Sequence, residues 1–138
     1  MKSVWIKTVS ARLLEGAQAL GVEDMNTGMH LNADVLQELR MVMGDDFASL
    51  LRTFILDSEQ RIAAIGATVQ AADADALRRA AHSFKGSAGN MGALAVADLC
   101  RQLEELGRDG TTAGAETLVA QLRREFDFVE QEIRALEV

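Results

Sequence analysis

A chain of 138 residues with a net charge of −7, no proline and only 4% aromatic residues suits one compact domain with a modest helical core. The acidic balance and the lack of any basic run exclude general nucleic-acid binding, because nothing is available to neutralise phosphates. Cys100 is the single cysteine, which excludes an internal disulfide and a cysteine metal cluster.

Residues 1–30 differ from the rest. Trp5, Ile6, Val9, Leu13, Ala17 and Leu20 have helical spacing, after which GVEDMNTGMHLN reads as a connector. The segment fits an extra N-terminal helix, a dimerising arm or a partly ordered leader. No uninterrupted apolar stretch around Lys2, Lys7 and Arg12 is long enough for a signal peptide or a membrane span, so a soluble, cytoplasmic protein is expected.

The pattern sharpens at Asn32, an N-cap for a short helix to about Met43 that presents Val35, Leu36, Leu39 and Met43. Gly44 and Asp45 break it. A longer helix from about Asp46 to Ala71 carries Phe47, Leu51, Phe54, Ile55, Ile62, Ile65 and Val69 on one face. Asp73 then caps a helix running to about Asn90, with Gly92 near its end. The next helix, about Ala93 to Leu106, is expected to bury Leu99, Leu103, Leu106, Val96 and Cys100, and GRDGTTAG forms the longest internal loop. The last helix carries Leu118, Leu122, Phe126, Val129, Ile133 and Leu136. Four long amphipathic helices on short connections, preceded by a short one, predict an all-α fold. Residues 31–138 form an antiparallel four-helix bundle with a capping helix.

The unusual chemistry lies in the third of these helices, in AAHSFKGSAGNMGA. At about 100° per residue, Leu77, Ala81, Phe84, Ala88 and Met91 share a core direction, and His82 points about 140° away from it. Arg78, Lys85, Gly86 and Gly89 lie on the same outward side. Each glycine costs about 1 kcal/mol relative to alanine in an exposed helix interior, so two of them beside an exposed imidazole suggest clearance for a partner. Lys85, one turn on from His82, can bring an ammonium near an anion that the imidazole carries or meets.

An exposed imidazole can act as a nucleophile, a general base, a metal ligand or an ordinary surface residue. Metal binding has little support, because His30 is the only other histidine and no metal-ligand spacing occurs. Ser83 and Ser87 stand in no acyl-transfer motif. No phosphate-binding loop for ATP appears, so any phosphoryl group has to come from a partner. Imidazole nitrogen accepts phosphoryl groups near neutral pH, and Lys85 would offset charge on the phosphoryl oxygens. Cys100 falls on an apolar stripe and reads as a small buried thiol rather than a nucleophile.

The stretch from Ala81 to Ala93, followed by Leu99-Cys100 and Leu103-Glu104, resembles the signature of histidine-containing phosphotransfer domains over about residues 32–138. The resemblance implies that His82 takes a phosphoryl group from a receiver-domain aspartate and passes it to another response regulator. It further implies that Lys85 supports the phosphate, Gly86 leaves the imidazole accessible, and Glu104 orients the ring through its other nitrogen. Periodicity puts Glu104 at the border of its helix's core stripe, compatible with that role and equally with a solvated Glu104-Glu105 pair. Family members often carry a basic or other polar side chain where this chain has Gly89.

The expected partners are response-regulator receiver domains, including that of a hybrid sensor kinase, with no nucleic acid and no membrane. No cofactor or metal is expected on this chain, Mg²⁺ being supplied by the receiver. Two other functions fit the same residues. One is a helical adaptor that binds receiver domains without phosphotransfer, and the other is a P1-type domain phosphorylated directly by a histidine kinase.

Overall fold

A computed structural model describes residues 30–136 of the chain. The expectations for an N-terminal helix, arm or leader fall on residues 1–29, outside the described residues. The described elements are α1 (Ala33–Met43), a 3-10 turn (Gly44–Asp46), α2 (Phe47–Gln70), α3 (Ala74–Asn90), α4 (Leu94–Arg108) and α5 (Ala115–Leu136).

Local chemistry sets the helix boundaries. The Asn32 side chain accepts hydrogen bonds from the backbone N–H groups of Asp34 and Val35, starting α1, and Gly44 at φ +55° ends it. Asp73 accepts from the backbone N–H of Ala76 and starts α3. Gly92, at φ +79°, turns the chain into α4, and its carbonyl accepts from the N–H of Asn32, which joins the start of α1 to the α3–α4 corner.

Helices α2, α3, α4 and α5 form the four-helix bundle, with α3 packing most extensively on α4 and α2 touching both α3 and α5. Phe54 of α2 and Phe126 of α5 meet edge to face, with centroids 6.1 Å apart, across the core. The short α1 lies against α2 as a cap. All seven expected residues of α2 are buried, as are Leu77, Ala81, Phe84, Ala88 and Met91.

Two details of α4 depart from the expectation. Leu99 and Leu106 are only half-buried, while Val96, Cys100 and Leu103 line the core. Gly107 does not open the loop. It is a buried helical residue, and a Cβ there would lie 2.5 Å from the Ala74 carbonyl and 2.7 Å from the Arg78 backbone nitrogen. The bare glycine lets α4 approach the first turns of α3, and that contact outweighs its low helix propensity.

His30 pins the entry to this bundle. Its ring stacks on Phe128 with centroids 4.5 Å apart, its Nδ1 lies 2.6 Å from Glu125 Oε2, and its backbone N–H donates to Glu132. Among the described residues, no helix is long and apolar enough to cross a membrane.

Candidate phosphotransfer site

Gly107 also determines what faces the middle of α3. The two helices run antiparallel, so one turn back along α4 from Gly107 pairs with one turn forward along α3 from Arg78. Those steps bring Glu104 to His82, whose Nδ1 lies 2.9 Å from Glu104 Oε2. His82 is 66% exposed at its side chain, whereas Glu104 is only 4% exposed. The ring therefore stands in solvent while its inner edge is tied to a buried carboxylate.

Glu104 gathers three partners. Lys85 Nζ lies 2.6 Å from Oε1, and Arg108 Nη2 donates to Oε2 at 2.9 Å, the same oxygen that meets His82. A carboxylate this deeply buried is tolerated because its charge is paired. The Lys85 ammonium, the largest influence, holds the carboxyl below its usual range; burial opposes this, and the His82 ring reinforces it.

The ionised carboxylate fixes the tautomer. It can only accept, so Nδ1 carries the proton and donates, which leaves the lone pair on Nε2. Nε2 meets no hydrogen-bonding group among the described residues. The arrangement presents an outward nucleophilic nitrogen, and its carboxylate-bound proton can stay in place when positive charge develops on the ring.

The surroundings leave that nitrogen accessible. A Cβ at Gly86 or Gly89 would meet nothing within 4 Å, so no packing requirement explains either glycine. Beside His82, Ser83 Oγ accepts from Arg61 of α2, which also donates to Asp57 Oδ2 at 2.5 Å. Further along α3, Asn90 and Met91 border an apolar groove floored by Leu39, Met43, Leu50 and Phe54, with Val42 exposed at its rim.

Cys100 takes no part in nucleophilic chemistry. Burial pushes its thiol up to about 12, against a smaller lowering by Lys85, and it stays protonated. Among the described residues, no group of three His, Cys, Asp or Glu side chains is placed to hold a metal ion.

The structure thus brings His82, Lys85 and Glu104 together, with Gly86 open beside them. Glu104 is the buried one of its two sequence alternatives. Arg108 and Arg61 were not singled out from the sequence. The spacing of Glu104 and Arg108 at i,i+4 is a usable signal for the first; the reach of Arg61 across helices has none.

A family model for the Hpt domain matches residues 49–132. Among solved structures, histidine-containing phosphotransfer protein B (HptB) from Pseudomonas aeruginosa PAO1 is 46% identical, with a TM-score of 0.75 over 78% of this chain and 93% of its own. ZmHP2, a histidine-containing phosphotransfer protein from maize, shares the fold at 23% identity, with a TM-score of 0.71 over 83% of this chain and 94% of its own. A search of curated proteins found no match.

The chain belongs to the Hpt domain family. It is a histidine phosphotransfer protein of the phosphorelay type, a phosphoryl carrier rather than an enzyme with its own catalytic site.

Proposed function

We propose that His82 accepts a phosphoryl group at Nε2 from the aspartyl phosphate of a receiver domain, such as that of a hybrid sensor kinase. It then passes the group to the aspartate of a second response regulator in the cytoplasm. The observation that carries this is the pairing of an exposed ring with a buried carboxylate on its inner nitrogen. Lys85 offsets charge on the phosphoryl oxygens, Gly86 admits the partner, and Glu104 keeps the ring oriented and its inner nitrogen protonated. The receiver supplies the Mg²⁺ as well as the aspartate, so this chain contributes mainly positioning.

The helix bearing His82, together with α1, forms the docking surface, and the apolar groove between α1, α2 and α3 extends it. Contact is transient, because donor and acceptor must both leave. The test mixes the protein and its His82→Ala variant with a panel of receiver domains carrying labelled phosphoryl aspartate. Acid-labile, base-stable label on the wild type alone supports the carrier. Binding without label favours the adaptor, and labelling by a histidine kinase and ATP with no receiver present favours the P1-type domain.

A further inference from the structure

Glu104 meets more positive charge than the orientation of one imidazole requires. Lys85 and Arg108 both pair with it, yet they are tethered differently. Lys85 sits on α3 one turn from His82, and its flexible stem lets the ammonium turn from Glu104 to a phosphoryl group. Arg108 sits four residues beyond Glu104 on α4, a spacing that holds the pair together independently of α3. Arg78 and Arg79, the other cations of α3, are paired with Asp75.

Transfer creates a conflict at Glu104. The Nε2 lone pair forms a bond to phosphorus, and the bond from phosphorus to the aspartyl oxygen breaks. Its electron pair leaves on the aspartate carboxylate. The Nδ1 proton stays where it is, so the ring becomes imidazolium-like and leans more heavily on Glu104 Oε2. If Lys85 moves to the phosphoryl oxygens at that moment, Glu104 loses the partner of its Oε1.

We propose that Arg108 is a positioning residue for this step: it remains on Glu104 while Lys85 moves to the phosphoryl group, and so keeps Oε2 aimed at Nδ1 of His82. This rests on His82 being the phosphoryl acceptor. Without Arg108, Lys85 is, among the described residues, the only lysine or arginine pairing with Glu104 and is held back from the phosphate. The side chain of Arg108 is 61% exposed, so the pair forms at the surface edge of a buried carboxylate and can persist as the receiver docks.

The test compares the full-length wild type with Arg108→Ala and Arg108→Lys, using a phosphorylated receiver domain that labels the wild type. Rapid-quench kinetics gives the transfer rate constant, titration gives receiver affinity, and ¹⁵N NMR of the unphosphorylated ring gives its tautomer. The alanine variant should lose about tenfold in rate, the scale of one charge-assisted hydrogen bond, with affinity changed less than about twofold. Its ring should also show a smaller Nδ1–H population, and lysine should restore most of the rate. An unchanged rate overturns the role of Arg108 while leaving His82 as carrier. Equal losses in rate and affinity make Arg108 a docking residue instead. Label on a residue other than His82 overturns the underlying assignment, and with it the role of Arg108.

Discussion

Gly107 of α4 packs directly on the backbone of Arg78 in α3, so closely that a Cβ would come within 2.7 Å of the Arg78 nitrogen and 2.9 Å of its Cα. One turn away, the same helix pair places Glu104 against His82. A methyl group at residue 107 has only backbone to displace, so the helices must separate. Gly107→Ala should cost about 1–3 kcal/mol of stability despite its better helix propensity, and should weaken the bond between His82 and Glu104. Chemical denaturation together with the ¹⁵N shifts of the His82 ring checks both effects; a stabilised variant with unaltered shifts would show that the close approach does not set the site.

Gly86 predicts the opposite separation of fold and function. Its missing Cβ faces open space, so Gly86→Gln should fold at least as stably, gaining up to about 1 kcal/mol of helix propensity. Phosphoryl transfer should nevertheless slow, because the longer side chain occupies the approach to His82. Transfer at the wild-type rate, measured by rapid quench, would remove the clearance role.

The charge on Glu104 links stability to acidity. Its folded carboxyl titrates below the usual carboxylate range, chiefly because of Lys85. The folded state therefore holds that proton less tightly than the unfolded chain does. The resulting stabilisation is fully present above the unfolded value, about 4.3, and fades as pH falls through the lower folded value. In urea titrations, the stability difference between wild type and Glu104→Gln should shift against the wild type as pH falls through and below about 4.3. A difference that stays constant from about pH 5 down to about pH 3 would mean the folded carboxyl is not held below its unfolded value.

Leu122 tests the core beneath the site. It is fully buried on α5, and Leu122→Ala should lower stability by about 2–5 kcal/mol. A denaturation midpoint near that of the wild type would show that α5 packs on the bundle by a different face.

Periodicity carried the helices well, because burial in a bundle follows one stripe per helix. Phe47 to Val69 and Leu77 to Met91 all lie where that rule puts them. It fails where two helices approach unusually closely. Gly107 lies in a Gly-Arg-Asp-Gly string that reads as a helix end, yet it is helical and packs against the backbone of Ala74 and Arg78. Glu104 was legible as a border residue, but its burial depends on that same approach. His82, Lys85 and Gly86 were visible because an exposed imidazole followed by two glycines departs from ordinary helix composition. Arg108 fell in the string read as a loop, which hid its i,i+4 pairing with Glu104, and the reach of Arg61 to Ser83 depends on how α2 packs beside α3.

The most direct test of the central claim is to phosphorylate ¹⁵N-labelled protein with a receiver domain and record the correlation spectrum of the His82 ring. Phosphoryl on Nε2, with Nδ1 still protonated, is the expected result. Phosphoryl on Nδ1, or a His82 ring unchanged while label appears elsewhere, would contradict the account.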